Sequence, residues 1–169
     1  MIKKYIIFIC ITFFFNNISL SKTISDSIKN SEEPKGPTKT SDYNLAKKYI
    51  QKADRYDNKN KVYKARKFYK KSLKLLYSSN KDYLPDANIF NYLGYVNGKL
   101  GNFENAELYY ILGLELDPNH NGINTNLGQL YVNSNRIDNA IEKLKVLENC
   151  NCEEFLELDN AIKSGSSKY

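Results

Sequence analysis

Histidine is reduced to a single residue in this chain, and that residue, His120, follows Asp117-Pro118-Asn119 in what reads as a loop. A Ser-His-Asp or Cys-His arrangement would have to be built on it alone. Glycine is sparse, and the eight present form no Gly-rich phosphate-binding loop. Acidic pairs such as Glu104 and Glu107 fall on polar helical faces, which argues against the facing carboxylates of a glycoside hydrolase. Arginine is scarce too, at three residues, so specific nucleic-acid recognition is not expected. The chain is therefore expected to be no enzyme and to need neither metal nor cofactor. Its fourteen tyrosines and eight phenylalanines recur at helical spacing, as core residues do.

Long apolar runs are missing with one exception. Residues 5–15 are apolar apart from Thr12, but a membrane span takes about 20 residues. Lys3 and Lys4 precede the run and Asn16, Asn17 and Ser19-Leu20-Ser21 follow it. This is the layout of a secretory signal peptide over residues 1–21, which predicts a periplasmic or secreted chain. The alternative is an uncleaved segment that tethers the chain to a membrane. Cys10 lies inside the apolar run with no lipoprotein box before it, so it is expected to leave with the signal. Residues 22–41 have no hydrophobic period and mix Pro, Gly, Ser, Thr and Lys, which reads as a disordered linker.

What the rest of the chain does contain is a repeat. Leu93-Gly94 recurs as Leu127-Gly128, Ala106 recurs as Ala140, and Tyr110 is answered by Leu144, each 34 positions on. That period marks a helix–turn–helix unit, which buries one face only by stacking on its neighbours. Residues 87–120 resemble a tetratricopeptide repeat: Phe90, Leu93-Gly94, Gly101, Phe103, Ala106, Tyr110, Gly113 and Pro118 stand where that signature puts them. Gly94 would let the second helix approach at Ala106, Gly101 would form the turn, and Asp117-Pro118 would end the unit. The next copy, 121–152, has Asn124 for the aromatic, Asn135 for the turn glycine and Cys152 for the proline.

An earlier copy, 46–79, aligns Ala65 with Ala106 at an offset of 41. Residues 80–86 therefore read as an insertion, either a longer loop or an extra helical turn. Residues 152–164 read as a capping helix, with Phe155, Leu158, Ala161 and Ile162 on one face and a capping box from Asn151 to Glu154 at its start. A flexible tail, 165–169, would follow. The expected fold over 42–164 is all-α, a short α-solenoid of about three helical hairpins plus a cap. Residues 87–164 also resemble a group of small bacterial secreted tetratricopeptide proteins that end in a Cys-rich turn and a Glu-Glu-aromatic helix.

Charge is unevenly spread. Residues 47–74 hold twelve Lys or Arg against Asp54 and Asp57, whereas 75–169 hold seven basic and thirteen acidic side chains. Lys61, Lys64, Lys67, Lys71 and Lys74 line one helical face, which reads as a solvated surface or as a patch for an anionic membrane surface or acidic partner. Cys150 and Cys152, in an exporting context, are candidates for a disulfide staple at the turn. A redox or soft-metal site on the Cys-x-Cys pair, or intermolecular bridges, are alternatives.

The resemblance also implies where a partner would dock. In tetratricopeptide domains the first helix of each unit lines a concave groove, which here implies Lys47, Ile50, Asp54, Asp57 and Asn58 in the first copy. In the second it implies Asn88, Asn91, Tyr95, Gly98 and Lys99, and in the third Gly122, Thr125, Gln129, Val132 and Asn133. From these Asn88, Asn91, Tyr95, Lys99, Thr125, Gln129 and Asn133 are the candidate partner-binding residues, because amides can both donate to and accept from an extended peptide backbone. The basic carboxylate clamp of chaperone-binding relatives is absent, since Thr125 and Gln129 stand where it needs Lys and Arg. The expected function is an exported, monomeric or weakly self-associating scaffold for a protein or peptide, with a Cys-based redox or metal-handling protein and a Lys-based anionic-surface adaptor as the alternatives.

Overall fold

A computed structural model describes residues 39–81 and 86–169. Among the described residues the chain forms seven helices and no strand. They are α1 (Lys39–Asp57), α2 (Val62–Lys81), α3 (Ala87–Leu100), α4 (Phe103–Leu116), α5 (Asn121–Asn133), α6 (Ile137–Leu147) and α7 (Glu153–Ser164). The signal-like residues 1–21, most of the linker, and residues 82–85 of the insertion lie outside the described residues. Consecutive helices pair as α1 with α2, α3 with α4 and α5 with α6, and α7 packs on α5 and α6. The fold is an all-α solenoid of three helical hairpins and a closing helix.

The three inter-helix turns are built alike, which explains how the repeat survives loss of its glycine. Gly101 has φ 85°, and its equivalents Asn60 and Asn135 have φ 54° and 57°. Asparagine tolerates this left-handed conformation better than other side-chain-bearing residues. In each turn the N–H after that residue reaches back to a carbonyl five residues earlier: Lys61 to Tyr56 at 2.9 Å, Asn102 to Asn97 at 2.9 Å, and Arg136 to Tyr131 at 2.8 Å. This is the hydrogen bond of a Schellman helix end.

Helix starts are more varied. Asp86 caps α3 by accepting from the Asn88 N–H at 2.7 Å. His120 caps α5 through Nδ1, which accepts from the Ile123 N–H at 3.2 Å, leaving its proton on Nε2 toward Asn88 Oδ1 at 3.4 Å. The helix α7 departs from expectation: Cys152 is the N-cap, with no side-chain hydrogen bond, and Asn151 sits at φ 47° in the preceding turn rather than acting as a capping box. Glu153 and Glu154 still complement the positive end of the α7 dipole.

Two other boundaries differ. The α1 helix begins at Lys39, inside the stretch read as linker, because Lys39, Thr40 and Ser41 contain no breaker and Asp42 supports the first turn. Leu75 is the counterpart of Leu116, where α4 ends, yet α2 continues to Lys81, so part of the insertion lengthens a helix. Two apolar clusters hold the stack. One joins α1, α2 and α3 through Ala53, Tyr69, Leu76, Leu93 and Val96; the other joins α4, α5 and α6 through Ala106, Tyr110, Ile123, Leu127 and Ala140.

Candidate functional site

Where α1, α3 and α5 meet, polar side chains are tied into a network that a core would not tolerate unpaired. Asp54 on α1 accepts two hydroxyl hydrogen bonds at one carboxylate oxygen, from Tyr69 at 2.6 Å and Tyr95 at 2.8 Å. Tyr69 is buried on α2 and Tyr95 half-buried on α3, their rings edge-on with centroids 6.4 Å apart. One carboxylate therefore links three helices. A turn further along, Asp57 pairs with Lys99 at 2.7 Å.

On α3, Gly94 and Gly98 are one helical turn apart on the same face. A Cβ on Gly94 would overlap the buried Tyr110 ring from α4, and a Cβ on Gly98 would come within 2.5 Å of the Tyr169 ring. The two rings meet along this bare strip of helix, with hydroxyl oxygens 2.6 Å apart. Gly94 thus makes room for an aromatic ring of the second helix, the Tyr110 ring one turn beyond Ala106.

Residues 165–169, expected as a flexible tail, are held against the groove. Gly165 ends α7 in the left-handed conformation, and the Ser166 N–H donates to Ala161 O at 3.2 Å, which turns the chain back. The Lys168 N–H then donates to Gln129 Oε1 at 3.1 Å, while the Lys168 carbonyl accepts from Lys99 Nζ at 3.0 Å. Both main-chain groups of one residue are held, from α5 on one side and α3 on the other. The Lys168 ammonium donates to Glu157 Oε1 at 2.9 Å and lies 5.7 Å from the Tyr95 ring centre. Gln129 Nε2 donates to the same Glu157 oxygen at 2.7 Å. Burial raises the Tyr69, Tyr95, Tyr110 and Tyr169 hydroxyls above the ordinary tyrosine range, and Asp54 pushes Tyr69 and Tyr95 further in the same direction.

Beyond Tyr95 the groove continues into an open pocket of about 270 Å³, lined by Lys47, Ile50, Asp54, Asn91, Tyr92 and Asn126 among others. Asn126 Nδ2 donates to Asn91 Oδ1 at 2.8 Å across its floor.

Residues 87–120 match the family model of the tetratricopeptide repeat. One hairpin of the stack, α3 with α4, thus carries the match to that repeat. Its fold is similar to that of the Arabidopsis OM64 TPR domain, at 14% identity over 73% of this chain and 98% of that one, with a TM-score of 0.47. It is also similar to YrrB, described as a TPR protein with an unusual peptide-binding site, at 19% identity over 69% of this chain and 84% of that one, with a TM-score of 0.39. No curated protein matches the sequence.

Within the stack the candidate residues separate. Tyr95, Lys99 and Gln129 converge on residues 168–169, and Asn91 lines the open pocket. Thr125 is 1% exposed, and its hydroxyl is turned to the carbonyls of Asn121 and Glu154 under α7. Gln129, 3% exposed, is likewise covered and reaches the groove only through its amide oxygen. Asn88 is taken up by His120, and Asn133 is exposed at the end of α5 with no part in the cluster. Tyr110, Glu157 and Asn126 were not among the candidates. Glu157 was hidden because it belongs to the cap, and Tyr110 because its signature role is packing.

Elsewhere, the Cys150 and Cys152 sulfurs are bonded to each other, with Cα atoms 5.1 Å apart. In that state neither is a thiolate ligand. Among the described residues no group of three or more His, Cys, Asp or Glu is placed to hold a metal ion, and no helix is long and apolar enough to cross a membrane. Lys61, Lys64, Lys67, Lys71 and Lys74 are all exposed. Part of that stripe lies over aromatic faces: Lys71 is 5.6 Å from the Tyr49 ring centre and Lys64 is 5.7 Å from that of Tyr56.

Proposed function

We propose that the chain is an exported scaffold whose groove across α1, α3 and α5 binds an extended peptide segment of a protein partner. The observation that carries this reading is the pair of main-chain hydrogen bonds on Lys168, a donor from Lys99 and an acceptor from Gln129. Such a pair grips backbone whatever the side chain, which is how peptide grooves combine affinity with tolerance. The pocket beside it supplies room for flanking residues. Export rests on the signal-like layout of residues 1–21, and the mature N-terminus is expected near Lys22.

The test removes the grip while keeping the side-chain volume. Lys99→Met with Gln129→Leu should abolish partner capture from envelope extracts of the native host, with helicity preserved by circular dichroism. Replacing Lys64, Lys67, Lys71 and Lys74 with Gln should leave capture unchanged. The reverse outcome would overturn the groove reading and favour the second one, an anionic-surface adaptor. That alternative is motivated by a basic pocket of about 360 Å³ lined by Lys52, Arg55, Tyr56, Lys59 and Lys61, without an acidic side chain among them. Its signature would be capture that falls steeply with salt.

A further inference from the structure

We propose that residues 166–169 are a tethered occupant of the partner groove, and that the partner presents an extended segment in which Lys or Arg precedes Tyr. This rests on the groove reading above and specifies both its regulation and its ligand. Four features of the occupied site set the chemistry. The strip bared by Gly98 takes a flat ring, since any Cβ there would strike it. The Tyr110 hydroxyl, 2.6 Å from that of Tyr169, favours tyrosine over phenylalanine, because without a partner hydroxyl a buried Tyr110 hydroxyl is left unpaired. Glu157, together with the face of the Tyr95 ring, selects a cation at the preceding residue. Lys99 and Gln129 fix the backbone between them, so spacing is read as well as composition.

The occupant is also built to leave. Beyond Gly165 it is joined to α7 through two serines, and its one aromatic side chain is Tyr169. The three hairpins pair through their own helices, and the segment adds only the Tyr169 ring at the edge of the second apolar cluster. A short flexible tether gives an effective concentration on the order of 1 mM. If a free copy of the segment binds with a Kd of about 0.1 mM, the tethered copy weakens it by about tenfold in the intact chain.

The experiment measures binding of a fluorescent, end-blocked peptide, Gly-Ser-Ser-Lys-Tyr, to the full chain and to its Lys168→Ala/Tyr169→Ala variant. The variant should bind at least tenfold more tightly than the parent. A probe with Ala in place of Tyr, or Glu in place of Lys, should lose at least tenfold on the variant. Adding Lys99→Met and Gln129→Leu to the variant should abolish probe binding. Exchange of the Lys168 amide in the parent gives a readout that needs no variant: saturating probe should accelerate it, as Gln129 is released. Equal affinity of parent and variant would overturn the tethered-occupant claim, and failure of the variant to bind the Lys-Tyr probe would overturn the ligand claim. In either case, loss of envelope-partner capture in the Lys99→Met/Gln129→Leu chain would leave the groove reading standing, whereas undiminished capture by that chain would overturn the groove reading itself.

Discussion

At the scale of single residues, Gly94 and Gly98 show how one substitution can have two meanings a turn apart. Alanine in a helix interior is better than glycine by about 1 kcal/mol, so Gly→Ala would stabilise an unobstructed helix. At Gly94 the obstacle is the fully buried Tyr110 ring, which is locked between helices. Gly94→Ala is therefore expected to destabilise by about 1 to 3 kcal/mol through overpacking. At Gly98 the obstacle is Tyr169, on a segment that can swing away, so Gly98→Ala should release Tyr169 and lower the melting temperature less than Gly94→Ala does, the cost being the unpaired Tyr110 hydroxyl. Thermal melts paired with Lys168 amide exchange would check both, and equal melting losses would refute the distinction. The same tyrosines predict an alkaline limit. Because the folded hydroxyls of Tyr69, Tyr95, Tyr110 and Tyr169 titrate above their unfolded value, their contribution is complete below about pH 10 and declines as pH rises beyond it. Absorbance at 295 nm should show a fraction of tyrosines ionising only as helicity is lost. A single tyrosinate transition near the ordinary value, with the helix signal intact, would contradict that.

At the scale of elements, the turns carry the clearest lesson. Asn60, Gly101 and Asn135 share one backbone state, so Asn135→Gly should be neutral or slightly stabilising, whereas Asn135→Ala should destabilise by about 1 to 2 kcal/mol. Equal melting temperatures for the two variants would show that the turn relaxes. The hairpins were legible because the signature residues act locally: a left-handed turn closes each hairpin at Asn60, Gly101 and Asn135, and a small residue in mid-helix recurs as Gly94 and Gly128 beneath a neighbour's side chain. The groove was only half legible. The positions of Tyr95, Lys99 and Gln129 came from what the resemblance to tetratricopeptide domains implies, but Thr125 and Gln129 were read as open when α7 covers them. Residues 165–169 could not have been read at all, since Gly-Ser-Ser-Lys-Tyr has no periodicity. Their order comes from Gln129, Tyr110 and Lys99, which are 39, 59 and 69 residues away in sequence.

At the scale of the whole described stack, the cap and the groove depend on one another. Leu158 on α7 is 0% exposed and fills the space above Gly128 on α5, where a Cβ would meet its side chain at 2.5 Å. The next residue toward the start of the same helix is Glu157, which holds both Gln129 and Lys168. Packing of the cap therefore positions the acidic group that anchors the tethered segment. Leu158→Ala is expected to destabilise the stack by about 2 to 5 kcal/mol, in the range of large-to-small core changes. In a solenoid this loss should be local, because each unit contacts only its neighbours. Amide exchange should accelerate in α5, α6, α7 and at Lys168, while α1 and α2, held by their own apolar cluster, keep their protection. The groove side of α3 would then be open to a Lys-Tyr peptide but without Glu157 in place, so binding should gain from release of the occupant and lose its preference for a basic residue. Uniform acceleration across α1 to α7 would instead mean that the three hairpins unfold as one cooperative unit, and that the cap governs the groove only by governing the fold.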